Sequence, residues 1–276
     1  MATLQHYIGY DNVVTISNVS ATSEAAGFPA TNLANPATYP PWQSNSTAST
    51  QYVTVTANGA PVDYIGIAGH NLHLADVYVA VQYQAESGGA WVDAWPYFVE
   101  SGGAWVDVGS CFVRNASPIL LRLDQVEAHA VRLKIFSLSA AMQYAPKIAV
   151  MYAGAITQLP HNVYGGVSPV NLSRNVETVE GMSQNGQYLG SVTTRTTYSG
   201  SVALRNLSPS WYRSVFDPFV VAASGHSGEK VPFFYAWRHN DYPEEVAYCW
   251  LQRTPVPQNS GIKEYMEISM SFDAIA

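Results

Sequence analysis

Along most of the chain apolar and polar residues alternate one for one, the period of a strand with one covered face. Runs at 51–56, 64–68, 77–85, 119–123, 130–136 and 147–152 predict strands, separated by Gly, Asn and Pro. The breaker-rich stretch GAITQLPHNVYGGVSP (154–169) then reads as a boundary. Alternation resumes at 173–179, 188–198, 201–207, 231–237, 246–253 and 265–272. One segment departs from it. In LSPSWYRSVFDPFVVAAS (207–224), Ser208 reads as an N-cap and Pro209 as the first helical residue, where its missing N–H costs nothing. Trp211, Val215 and Phe219 then form an i, i+4, i+8 stripe that would pack on a sheet. Pro218 predicts either a kink or a second short helix starting at Asp217. The C-terminal half therefore reads β-β-β-α-β-β-β, and the chain as a whole is mainly β.

The segment ESGGAWVD occurs at 86–93 and again at 100–107, so that 81–94 and 95–108 are tandem units of 14 residues. Each reads as strand, Gly-Gly turn, strand, because adjacent glycines supply the positive φ angles of a tight hairpin. In the return strand Trp91 and Asp93 share one face and Val92 takes the other. A whole extra hairpin preserves both chain direction and in/out alternation, so a sandwich can absorb it without scrambling its core. It reads either as a longer edge hairpin with no task, or as a finger on which Trp91, Trp105, Tyr83 and Tyr97 contact a neighbour or a sugar.

A length of 276 residues suits two domains, and 47% hydrophobic content supplies their cores. Charged residues are only 12%, with 13 Lys+Arg against 20 Asp+Glu and a net charge of −7. No basic stripe is present, so specific nucleic-acid binding is not expected, and no apolar run approaches the ~20 residues needed to span a bilayer, so membrane insertion is not expected either. The N-terminus lacks the charged and apolar regions of a secretory signal. Cys111 and Cys249, far apart inside strand-like runs, form no disulfide framework and read as small buried hydrophobes.

Reactive constellations are scarce. SGHSGEK around Ser227 misses the G-x-S-x-G nucleophile elbow at its last position, Glu229, and reads as a loop. His70 and His73 lack a third metal ligand nearby, and His70 reads as a domain-junction residue. Asp241, Glu244 and Glu245 lie in a turn between two apolar strands. The expectation is no enzyme, no cofactor and no metal. Aromatic residues are the remaining signal, with 7 Trp and 18 Tyr. Those placed in loops or beside turns, Tyr39, Trp42, Trp91, Tyr97 and Trp105, are the candidates for partner or sugar contact.

Four pieces in order, ISNVSATSEAAGFPATNLANPATYPPWQS with Asn32, Asn35 and Trp42, QYVTVTANGAPVDYIGIAGHN, VYVAVQYQAESGGAWVD and AHAVRLKI, resemble the discoidin-type, galactose-binding-like jelly roll. The second hairpin is extra, and the acidic residues often seen in the family's Asn loop are absent. VPFFYAWRHNDYPEEVAYCWL with the terminal YMEISMSFDAIA, and the junction KIAVMYAGAITQLPHNVYGG, resemble distal or minor tail proteins of long-tailed bacteriophages and their tail-tube-like fold. The resemblance implies a discoidin-like β-sandwich over 1–155, a linker at 156–172 and a ring-forming β domain with one helix over 173–276. It further implies a structural subunit of the virion tail, made in the host cytoplasm and assembled with itself as a ring, by analogy a hexamer. Tail-tube and tail-tip or hub proteins would be its neighbours. The alternative is a module of the virion that binds host surface glycan through the discoidin-like part.

Overall fold

The computed structural model describes residues 6–94, 110–160, 167, 169–261 and 264–275. The second repeat unit, with Tyr97 and Trp105, lies outside them. The described residues are mainly β, arranged as two bodies, and the chain threads them in an unexpected order. Its first strand, β1 (Tyr7–Gly9), joins the sheet of the second body, pairing Ile8 with Tyr235 and with Thr157. The chain then leaves, builds a complete sandwich and returns. At the neck, Val13 N donates to Ala153 O (2.8 Å) and Ala155 N to the Asp11 carboxylate (3.1 Å). The sandwich is thus inserted into the other body, held by two adjacent crossings, as domain insertion requires of neighbouring termini. The boundary expected at 155 therefore holds Tyr7–Gly9 on the wrong side. Three residues are too few to show which sheet they complete.

The inserted body contains β2 (Val19–Ala21), β3 (Trp42–Gln43), β4 (Ala48–Thr56), β5 (Pro61–Ala68), β6 (Tyr78–Gln84) and β7 (Trp91–Ala94). After the undescribed segment come β8 (Cys111–Phe112), β9 (Ile119–Glu127), β10 (Ala130–Ala141), β11 (Lys147–Ile148) and β12 (Val150–Gly154). One sheet runs β2-β4-β10-β6-β7, with β8 also on β6, and the facing sheet runs β12-β5-β9. Alternation dictates the packing. Val131, Leu133 and Ile135 of β10 point inward with Val53 and Val55 of β4 and Val79 and Val81 of β6, and meet Ile65, Ile67 and Leu121 of the other sheet. The first repeat hairpin forms, with Gln84 paired to Trp91 and Gly89 N donating to Glu86 O, but its connection spans residues 85–90 and only Gly88 of the two glycines takes a positive φ (77°).

The second body comprises β13 (Thr157–Gln158), β14 (Arg174–Met182), β15 (Tyr188–Leu207), β16 (Phe233–Ala236), β17 (Val246–Leu251), β18 (Gln258–Ser260) and β19 (Tyr265–Ile275). Its sheet order is β13-β1-β16-β17-β19-β15-β14, with β18 on β19. The two strands expected at 188–198 and 201–207 are one. At Tyr198 the strand changes partner, from β14 to β19, without changing direction, and Ser199-Gly200 pairs straight through. The helical segment also differs. A π-turn (Tyr212–Phe216) separates α2 (Pro209–Trp211) from α3 (Asp217–Ser224), letting Pro218 begin a new helix instead of kinking one. The buried stripe is Tyr212, Phe216, Phe219 and Ala223, packed on the sheet, with Trp211 partly buried beside it; Phe219 is as expected and Val215 is not part of it. Ser208 makes no side-chain cap; its hydroxyl bonds Ser210 Oγ instead.

Beyond Tyr198, β14 and the first half of β15 continue as a two-stranded arm with every residue of β14 exposed. Val179 lies opposite Val192 on one face; Met182 lies opposite Tyr188 on the other. Val192 is 69% and Leu189, in the bulge beside the tip, 68% exposed.

The two bodies share a third apolar cluster. The outer side of β12-β5-β9 supplies Tyr64, Ala68, Leu120, Val150 and Tyr152, and β16-β17 supply Phe234, Ala236, Val246 and Tyr248. Buried tyrosines need partners for their hydroxyls. Tyr248 Oη donates to Pro36 O (2.7 Å), across the junction, and Tyr64 Oη to Asp11 O (2.5 Å). At one side, the Arg122 guanidinium of β9 covers the Tyr7 ring at 4.0 Å, and Tyr7 meets His239 edge-on. His239 is buried, and burial first, then the Arg122 charge, lowers its pKa to about 3 from 6.5. His70 is lowered to about 4, chiefly by burial. Both are neutral in the fold but protonate readily once unfolded. Their contribution is therefore full above about pH 6.5 and declines as pH falls toward 4, on the order of 1 kcal/mol per pH unit for each. Urea midpoints measured from neutral pH to about pH 4 should fall accordingly; a flat profile would show that neither imidazole is held neutral.

Candidate functional site

The even-numbered residues of β10 that alternation turns away from the core are Arg132, Lys134 and Phe136. Register places them among defined neighbours. Arg132 lies between Thr54 and Gln82, Lys134 between Tyr52 and Ala80, and Phe136 between Thr50 and Tyr78. The first repeat hairpin extends this face by Asp93, opposite Gln82, and Trp91, opposite Gln84. Phe112 of β8 adds an aromatic ring opposite Tyr78.

The centre of the face is a three-layer stack. The Arg132 guanidinium carbon stands 4.0 Å from the centroids of both the Tyr52 and the Trp91 rings. Such contacts place a planar cation on the negative faces of the rings. A polar chain fixes the arrangement: Arg132 Nε donates to Gln82 Oε1 (2.8 Å), and Gln82 Nε2 donates to Asp93 Oδ1 (2.6 Å). Burial lowers the Arg132 pKa, and Tyr52 and then Asp93 oppose the shift; an arginine so placed stays charged. Beside the stack, Tyr78 packs against Phe136 (5.6 Å between ring centroids) and Phe112 (5.0 Å), and Lys134 Nζ lies 4.8 Å from the Phe136 ring. Aromatic planes, a cation and a carboxylate thus alternate over a sheet surface, with rotamers restrained by one another.

The candidates from sequence fare differently. Trp91 is in the stack. Tyr39 is 78% exposed on the loop before β3, and the structure does not bring it to Trp91. Trp42 is no contact residue. It is fully buried in the sandwich core and its Nε1 donates to Ser23 O (3.1 Å), because the short strand β3 turns the indole inward beneath Ala30 and Leu33. Tyr97 and Trp105 lie outside the described residues. His70 follows β5, whose Ala68 belongs to the junction cluster, but its own bond, Nε2 to Ser117 O (2.9 Å), stays inside the sandwich. Cys249 is buried, whereas Cys111 is only half-buried, at the margin of the sheet. Arg132, Tyr52, Gln82 and Asp93 were missed as site residues. The alternation in VRLKIF already put Arg132, Lys134 and Phe136 on one face, but only pairing with β4 and β6 supplies their neighbours.

Two clefts lie elsewhere on the surface. One, of about 370 Å3, lies at the neck between Asp11, Asn12, Tyr152, Glu229 and Lys230. The other, of about 400 Å3, crosses β15 and β19 in the second body. Among the described residues no three His, Cys, Asp or Glu side chains gather to hold a metal ion, and no helix is long and apolar enough to cross a membrane.

No family model matches the chain, nor does any curated protein. Solved structures similar to part of it include chitosan-binding module 1 from a chitosanase/glucanase of Paenibacillus sp. IK-5. That likeness has 15% identity and a TM-score of 0.41, over 52% of this chain and 99% of that one. CpGH89CBM32-5 from Clostridium perfringens, in complex with GalNAc-beta-1,3-galactose, is 14% identical with a TM-score of 0.36, over 50% of this chain and 94% of that one. A fucosidase from Ruminococcus gnavus in complex with fucose is 14% identical with a TM-score of 0.37, over 50% of this chain and 25% of that one. At such identities and scores these likenesses specify no ligand here.

Proposed function

We propose that the inserted sandwich is a carbohydrate-binding module and that the second body holds it in a larger assembly. The observation that carries the reading is the outer-face stack of Tyr52, Arg132 and Trp91 with its Gln82–Asp93 chain. Sugars offer apolar C–H faces beside hydroxyl groups, and they are recognised by aromatic planes flanked by fixed donors and acceptors. Arg132 and Lys134 against Asp93 leave this face with one excess positive charge, which favours saccharides bearing a carboxylate or sulfate. Arg132→Ala removes the centre of the stack and the Nε–H that Gln82 Oε1 accepts. It should weaken binding on an anionic glycan array by about tenfold or more while the fold, monitored by circular dichroism, persists. Wild-type protein that binds no sugar on such an array, or binding indifferent to Arg132→Ala, would refute the proposal.

The exposed arm of β14 and β15 favours a second, compatible reading: a structural subunit of a phage tail tip. Here the second body would close into a ring, by analogy a hexamer, between the tail tube and the tip or hub proteins, and the sandwich would face outward toward host glycan. A two-stranded ribbon is marginal in water unless something covers it, and uncovered apolar side chains at this density mark a surface for association. Mass photometry of the purified chain tests this: a closed oligomer is expected, and a monomer at every accessible concentration would overturn it.

A further inference from the structure

The arm and the larger cleft belong to the same sheet, and each supplies what the other lacks. The cleft lies on the face of β15 and β19 opposite the helices, where Ala203, Arg205, Glu267 and Ser269 point outward and residues 253–258 form a rim. It measures about 400 Å3; Arg205, Arg253, Thr254 and Gln258 offer donors, and Val256, on the rim, is 73% exposed. Two arginines against Glu267 give the cleft one excess positive charge. The end of the arm, residues 179–192, carries Val179, Met182, Tyr188, Leu189 and Val192, and its one charged side chain is Glu180. We propose that the arm tip of one copy of this chain seats in the cleft of a second copy, with Glu180 against Arg205 and Arg253 and with Met182, Tyr188 and Leu189 covering Val256. This deepens the assembly reading above and rests on it.

Geometry selects a second copy over the same chain. Tyr188 at the tip and Leu204 at the cleft lie on one continuous strand, 16 positions apart. At about 3.3 Å per residue that is roughly 50 Å along one continuous strand. The tip therefore cannot fold back onto its own cleft. Because the donor and acceptor surfaces differ, the contact is heterologous, and repeated subunits close a ring or extend a filament.

The test uses the full chain. Glu180→Cys and Arg205→Cys, made in separately tagged chains and mixed, should give a disulfide-linked heterodimer under mild oxidation, whereas either variant mixed with wild type should not. In mass photometry Glu180→Arg should raise the dissociation constant of the assembly about tenfold or more, and adding Arg205→Glu to it should restore the wild-type value. Met182→Ser with Tyr188→Ser, both on exposed positions, gives a second probe that leaves the cores untouched. A wild-type chain that stays monomeric defeats both this proposal and the ring. An oligomer that forms unchanged with Glu180→Arg and with Met182→Ser/Tyr188→Ser, and that yields no mixed disulfide, defeats the arm-in-cleft contact alone and leaves the ring standing.

Discussion

Trp42→Ala should destabilise the sandwich by about 3–5 kcal/mol. Two losses coincide. The indole is fully buried in the core beside Ala30 and Leu33, so alanine leaves a cavity that the short strand β3 cannot close. The Ser23 carbonyl also loses the Nε1–H that satisfies it, and an unpaired buried acceptor adds its own desolvation penalty. Chemical denaturation of wild type, Trp42→Ala and Trp42→Phe separates the two, because phenylalanine keeps most of the volume and drops the hydrogen bond. Folded Trp42→Ala protein should still bind whatever ligand the outer face binds. An unchanged denaturation midpoint with loss of ligand would instead make Trp42 a contact residue.

Gly66→Val comes second and acts on the junction. Gly66 sits in the middle of β5, and a Cβ built on it would lie 2.6 Å from Phe234 Cε2 and 2.7 Å from Phe234 Cδ2. Those ring atoms belong to the cluster between the bodies, where Phe234 is wedged against Tyr152 and Tyr248. A side chain at 66 must push the bodies apart or drive the ring from its site, at a cost of about 1–3 kcal/mol or more. Because the strain falls on the shared surface and not on either core, the single cooperative unfolding expected of wild type should split into two calorimetric transitions. Gly66→Ala combined with Phe234→Leu makes room and should restore much of the coupling. One unshifted transition in Gly66→Val would mean that the close approach at Gly66 does not hold the bodies together.

Much of this architecture was readable before any coordinates. The alternating runs located the long strands, because a sheet with one covered face imposes a period of two and little else does. The repeat's strand, turn, strand pattern correctly described the first hairpin, down to Trp91 and Asp93 sharing a face. Where the reading failed, the deciding interactions were non-local. Tyr188–Leu207 read as two strands, 188–198 and 201–207; pairing with β19 carries the chain straight through 199–200. The helical stripe was right at Phe219 but one position early at Trp211 and Val215, because which neighbour turns inward depends on how the segment docks on the sheet. Trp42, beside two prolines, looked like a loop tip, and only the fold around it shows that the loop runs over the core.

The amino-acid order thus settled which stretches extend, which residues of each strand share a face and where the chain turns, because these follow from local sterics and the spacing of apolar side chains. It could not settle partners. That β1 completes a sheet whose other strands lie more than 140 residues further on, that Arg132 stands between Tyr52 and Trp91, and that β14 has no strand on its outer edge among the described residues all depend on which strands meet. Strand pairing is decided by contacts between residues far apart in the chain, and those contacts exist only once the whole has folded.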